Sequence, residues 1–389
     1  MKNAMYGLLW SWILVSVVHG QTIDKYKLDV LLKKAEQTHS EAVIVYKDNQ
    51  LVTEKYFGIG QADTKIESMS CTKSIVGLAV ACMLSDQTLA SLDEPVSRYY
   101  PEWRQGQKQA ITVRHLVNMT SGLQNHPNAS VEIYPSPDFI QLALAAELTS
   151  KPGEVWSYNN KSLNLMAGVI KKITGQRMDQ YIGERLFKPL GITDFSWSLD
   201  SAGNPHVMSG CQIKPGDFAK IGLLLLNNGK YNNQTVIAEK YIQEVITPCK
   251  PYPGYGILWW IDYEKTTSIV DDEIVRELQK AGVAEDFIQK AKAMQGTYAN
   301  NDAYYAKLLS VFGANPWEYI NTTLGANLRL RKKEFSGHVT YRADGYLGNY
   351  IIVDFKTKIV AVRMISHQSF QDETDNFNDF AKMVLKLSE

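Results

Sequence analysis

Ser68-Met69-Ser70-Cys71-Thr72-Lys73-Ser74-Ile75-Val76-Gly77 is the stretch on which the reading of this chain turns. Small polar residues open an apolar run that continues to about Leu84, which predicts a loop-to-helix junction with a buried helix behind it. Ser70 and Lys73 are three apart, so on a helix they share a face and the amine can reach the hydroxyl. A serine hydroxyl is a poor nucleophile until a base takes its proton, and a lysine desolvated at a cleft floor is neutral enough to act as that base. The helix N-terminus adds backbone N–H donors where oxyanion charge would develop. Ser-x-x-Lys arises by chance about once or twice in a chain of this length; Ser70/Lys73 is its one occurrence here. From this stretch alone, a capping serine with a solvated lysine one turn on stays open as the alternative.

Outward from that helix, the elements fall into an ordered pattern. On the N-terminal side, Tyr26 to Ala35 has one apolar helical face, and Ala42 to Tyr46 and Leu51 to Phe57 read as a hairpin across Lys47-Asp48-Asn49-Gln50. On the C-terminal side, helices dominate to Glu244, with Thr112–Met119, Pro137–Glu147, Ser162–Ile173 and Pro215–Leu226 as candidates. Strands return at His338–Ala343, Leu347–Phe355 and Ile359–Ile365, and an amphipathic helix closes the chain over Asn376–Leu387. This predicts an α+β fold: an antiparallel five-stranded sheet built from both chain ends, flanked by terminal helices, with a helical subdomain at about 70–250 inserted. A further insertion at about 263–334, helical at Ile274–Ala281 and Phe287–Met294, reads equally as a specificity lid or as decoration. Trp259-Trp260 before it reads as core, with a cleft wall as the alternative.

The 389 residues are 45% hydrophobic with 41 acidic and 41 basic side chains. Disorder is excluded, and without a basic excess or a Lys/Arg-dense run so is nucleic acid as a partner. Lys2, an apolar run from Tyr6 to Val18 and Val18-His19-Gly20 read as a signal peptide over residues 1–20, too short to span a bilayer. The mature domain, 21–389, is then expected in the periplasm or secreted, without a stable membrane span. Cys71, Cys82, Cys211 and Cys249 read as packed thiols, a bridge through Cys211 or Cys249 being the alternative in an oxidising compartment. His115 reads as structural, no metal set or H-E-x-x-H is present, no cofactor is expected, and the absence of G-x-S-x-G counts against an α/β-hydrolase.

A second constellation agrees with the first. In Lys151-Pro152-Gly153-Glu154-Val155-Trp156-Ser157-Tyr158-Asn159-Asn160, a phenol and a carboxamide two apart can point together into a cleft from a turn-prone loop that leads into an apolar helix. Together these residues resemble the serine β-lactamase and penicillin-binding-protein-like hydrolases. Within that family the resemblance is to the branch of class C β-lactamases, D-alanyl-D-alanine carboxypeptidases and related esterases and 6-aminohexanoate-dimer hydrolases. Ser70-Cys71-Thr72-Lys73 looks like the family's S-x-x-K and Tyr158-Asn159-Asn160 like its Y-x-N. Ile111 to Leu123, ending in Thr120-Ser121-Gly122-Leu123, and Leu92-Asp93-Glu94-Pro95-Val96 are similar to two further segments of that branch. The resemblance implies the β-lactamase/transpeptidase-like fold, Ser70 as acylated nucleophile, Lys73 as proton acceptor alone or with Tyr158, and Tyr158 as the group protonating the leaving group. It further implies Asn160 on the acyl side, and an oxyanion hole from the backbone N–H groups of Ser70 and Tyr346.

The third family motif, K-T-G or H-x-G, is matched by Ala343-Asp344-Gly345 followed by Tyr346, with Ser336-Gly337-His338 as another alignment. The missing cation would help hold a substrate carboxylate, which Asp344 would repel. The expected function is therefore a secreted serine hydrolase acting on a small ester, amide or peptide. A carboxypeptidase or weak β-lactamase is the second enzyme reading. A non-catalytic binding or sensor module is the reading from another class, against which Ser70, Lys73 and Tyr158 together speak. Substrate identity and oligomeric state are not legible.

Overall fold

The structure, a computed structural model, describes residues 22–388 except 127, 315 and 325–327, and except the side chains of 318 and 321; the leader expected at 1–20 lies outside the described residues. The main sheet is antiparallel and has seven strands: β1 (Ala42–Lys47), β2 (Gln50–Tyr56), β3 (Trp260–Val270), β4 (Gly296–Tyr298), β5 (Lys332–Gly345), β6 (Asn349–Asp354) and β7 (Ile359–Met364). Their order is β2-β1-β7-β6-β5-β3-β4, so both chain ends meet at the β1/β7 ladder, with Ala42 opposite Met364 and Lys47 opposite Ile359. The β1/β2 hairpin turns on Asp48 and Asn49, both at positive φ, the two-residue turn that matches the twist of paired strands.

Four helices bear on the site: α1 (Lys25–Gln37), α2 (Thr72–Ser85), α3 (Pro215–Leu226) and α4 (Phe380–Leu385). Strand side chains alternate faces, and both faces of the central strands are covered. Ala42, Ile44, Ile351, Val353, Val360 and Val362 join the core containing α2 and α3. Val43, Val45, Ile352, Ile359 and Ala361 pack with Leu31 and Ala35 of α1 and Phe380 and Val384 of α4. These strands therefore read as unbroken apolar runs. Helix α2 is buried from Thr72 to Leu84 and has no polar face to show solvent. Gly77 lets it approach Ile257, whose carbonyl would lie 2.7 Å from an added Cβ.

The five expected strands are present, and β3 and β4 extend the sheet. β5 begins at Lys332 rather than His338, so the segment expected to be an insertion over 263–334 starts and ends in sheet. Its helices are Asp272–Lys280, Glu285–Ala293, Asn301–Phe312 and Pro316–Leu324, gathered around their own core of Ile274, Leu278, Phe287, Ile288, Tyr304 and Leu308. The closing helix is shorter than the expected Asn376–Leu387: Phe377, at φ 48°, interrupts the helical path, and α4 starts at Phe380. All four cysteines are buried free thiols. Among the described residues no helix is long and apolar enough to cross a membrane.

Candidate active site

Ser70 sits in a tight turn, Met69–Cys71, that runs directly into α2. Met69 holds a left-handed φ of 49°, strained for a side chain with a Cβ. That strain is held by the surroundings. Ser68 N–H donates to the Cys211 carbonyl (2.9 Å), the Ser68 and Thr72 hydroxyls lie 3.0 Å apart, and the Cys71 thiol meets the Asn349 carbonyl at 3.2 Å. Burial pushes the Cys71 thiol up, so it packs as an inert neighbour of Ser70.

Lys73 Nζ donates to Ser70 Oγ at 2.8 Å and to the Met208 carbonyl at 2.7 Å. The side chain is only 2% exposed, and among the described residues it forms no ion pair. Loss of hydration therefore pulls the amine down from 10.5 to about 7, and Cys71 acts in the opposite direction. The amine also lies 4.9 Å from the centroid of the Tyr158 ring. Burial raises the Tyr158 phenol well above its usual range, and its interaction with the Ser70 side chain offsets part of that. The phenol is thus uncharged near neutral pH and able to donate a proton, while the amine is in part uncharged there and able to accept one.

Tyr158 is placed by the Thr120-Ser121-Gly122-Leu123 loop. Asn159 donates through Nδ2 to the Leu123 carbonyl (2.7 Å) and accepts from Ser162 N–H (2.8 Å), starting the short helix Asn160–Leu163. Ser157 N–H donates to the Met119 carbonyl and Gly153 N–H to the Thr120 carbonyl. Asn125 ties both sides, its Oδ1 accepting from Lys161 N–H and its Nδ2 donating to the Tyr158 carbonyl. Gly122 is required where it stands, because a Cβ there would lie 2.2 Å from the Ser150 carbonyl oxygen. His115 is structural: its Nδ1 accepts from Thr112 N–H, closing a capping box at the helix Val113–Val117.

Asn160 Oδ1 is buried with no hydrogen-bond partner among the described residues. A buried orphan acceptor costs about 1–3 kcal/mol. The tryptophan pair divides: Trp259 is fully buried and donates to the Ser74 carbonyl, whereas Trp260 lines a cavity, stacks on Tyr158 at 5.9 Å and meets the rings of Trp156 and the buried Tyr255 edge-on.

On β5, Gly345 lies against the nucleophile turn, so close that a Cβ would meet the Ser68 carbonyl oxygen at 2.7 Å. Gly337, of the alternative alignment, lies against Glu264 instead, and His338 pairs with Asp354. The β5/β3 ladder ends at Arg342 opposite Trp260, after which residues 343–345 pair with β6 alone. Ala343 is buried towards α2, Asp344 forms an ion pair with Arg342, and the Tyr346 side chain is exposed. The following turn, with Leu347 at φ 70°, is held by the buried Arg363, which donates to the Leu347 and Gly348 carbonyls.

Three contributors escaped the sequence reading. Met208 acts through its carbonyl, which leaves no side-chain signature, and the Arg363 guanidinium acts on backbone carbonyls, which no motif marks. Arg342 could have been found, since it is two residues from Asp344 and so shares a strand face with it. A cavity of about 910 Å³ lies beside the site rather than over Ser70, and Trp260, Asp262, Arg342 and Asp344 contribute to its wall.

The Beta-lactamase family model matches residues 31–382. The chain belongs to the beta-lactamase family. PbpX of Bacillus subtilis (strain 168), whose name classes it with the penicillin-binding proteins, is 29% identical over 202 residues, covering 50% of this chain and 50% of PbpX. The chain thus spans about half the length of that curated relative. A Bacillus anthracis protein named as a 6-aminohexanoate-dimer hydrolase superposes with a TM-score of 0.64 at 18% identity, covering 92% of this chain and 81% of that one. An octameric penicillin-binding protein homologue from Pyrococcus abyssi gives a TM-score of 0.61 at 17% identity, with 94% and 78% covered. Family membership places the chain among beta-lactamase-fold proteins, whose members are generally serine-dependent hydrolases.

Proposed function

We propose that this chain is an acyl-enzyme hydrolase of small, uncharged esters or amides with Ser70 as the nucleophile. The observation that carries the reading is the 2.8 Å contact from Lys73 Nζ to Ser70 Oγ by an amine whose burial brings it to about 7. The neutral amine takes the Ser70 proton as Oγ bonds to the substrate carbonyl carbon. The oxyanion that forms faces the backbone N–H groups of Ser70 and Tyr346. Tyr158 gives its proton to the departing alcohol or amine, and its oxygen then accepts one from the water that releases the acyl group, while the Lys73 ammonium returns its proton to Ser70 Oγ as the acyl bond breaks. Asn160 meets the acyl side, which its unpartnered Oδ1 supports.

A fluorophosphonate probe is expected to label the wild type and to leave Ser70→Ala unlabelled; undiminished labelling of that variant overturns the assignment. A carboxypeptidase or weak β-lactamase is the second reading, favoured by the similarity to PbpX; labelling by a fluorescent penicillin would support it. Export belongs to the same proposal and rests on the leader composition of residues 1–20. A mature N-terminus near Gln21 is expected.

A further inference from the structure

We infer that Asp344 is a specificity-determining residue that masks Arg342, so that a carboxylate-binding guanidinium beside the active site is kept from substrate. The inference rests on the proposed serine-hydrolase reading and names the substrate class that the site refuses. Arg342 lies on β5 three residues before Gly345, the residue pressed against the nucleophile turn. Its guanidinium stands 5.7 Å from the Trp260 ring centroid, and Trp260 stacks on Tyr158, so one indole separates the cation from the proposed proton donor. Two carboxylates occupy its donors. Asp262 accepts from Nε at 2.7 Å and from Nη2 at 3.2 Å, and Asp344 pairs with Nη1.

The group faces space rather than core. Arg342, Asp262 and Asp344 all line the 910 Å³ cavity, and the guanidinium side chain remains 20% exposed. One guanidinium stands against two carboxylates that occupy its donor edges, so an incoming carboxylate finds no free guanidinium donor there. Asp262 alone would satisfy two of the guanidinium nitrogens and leave the Nη1 edge open. Asp344 therefore acts as an internal carboxylate at the place where an external one would bind. Its partner Ala343, buried against α2, supplies no cation in compensation.

The test compares 3-(butyryloxy)benzoic acid with its methyl ester, two substrates whose leaving groups differ by a carboxylate charge and a methyl group, and follows their ratio across variants. Wild type is expected to favour the methyl ester. Asp344→Ala should raise the acid-to-ester ratio of kcat/KM about tenfold, chiefly through KM, and Arg342→Gln added to it should return the ratio to the wild-type value. An unchanged ratio in Asp344→Ala, or a gain that survives Arg342→Gln, overturns the inference. Equal fluorophosphonate labelling of all three proteins checks that the variants fold. If wild type hydrolyses neither ester and fluorophosphonate does not label Ser70, the proposed function fails. Calorimetric binding of 3-(butyrylamino)benzoate against its methyl ester, in the same variants, then decides the masking by the same two outcomes.

Discussion

At the scale of single residues, the site is a matter of hydration. Lys73 is enclosed, donating to a peptide carbonyl and a hydroxyl, and its amine drops from 10.5 to about 7. The folded chain therefore binds fewer protons than the unfolded one between those values, and burying Lys73 costs stability. The cost is full below about pH 7 and fades as pH rises towards the ordinary lysine value, with an upper bound on the order of 5 kcal/mol. Lys73→Met should accordingly raise Tm more near about pH 6 than near about pH 9, as read by scanning calorimetry. A gain independent of pH would show that the amine is not the strained group. Ser70, Lys73, Tyr158 and Asn160 were legible in sequence because each uses a side chain at a short, fixed spacing. Arg342 was passed over because its meaning depends on the strand face it shares with Asp344 and on the Trp260 ring opposite.

At the scale of elements, a nucleophile turn, a tyrosine loop and a strand end are pressed together, and glycine sets how closely. Gly345→Ala would place a methyl group 2.7 Å from the Ser68 carbonyl oxygen and 3.1 Å from Met69 Cβ. The strand must then move away from Ser70. We expect at least a hundredfold loss of kcat/KM with a folded protein, checked by kinetics beside circular dichroism. Activity within about twofold of wild type would show that β5 does not shape the site. The central strands and α2 could be read from apolar runs because burial dictates their composition. β3 could not, since Asp262, Tyr263, Glu264, Lys265, Thr266 and Thr267 carry no period-two pattern. Much of that ribbon is held by its long ladder with β5 instead, Lys332 to Arg342 against Ile269 to Trp260. The same reason hid the true start of β5 in Lys332-Lys333-Glu334.

At the scale of the whole molecule, β1 pairs with β7, so the sheet closes only when both chain ends are present. The helices between β3 and β5 have a separate core, and Ile269 lies opposite Lys332 where the ladder leaves off. Replacing 271–331 with a two-residue turn should therefore leave a protein that still reacts with fluorophosphonate, with altered preference among esters. Loss of all labelling in a folded variant would make that segment part of the catalytic unit. The central claim, that Ser70 is the acylated nucleophile, is tested most directly by mass-spectrometric mapping of the fluorophosphonate adduct on the native protein. The account predicts one adduct per chain, on the peptide carrying Ser70; an adduct on any other residue, or none on a folded and soluble protein, would contradict it.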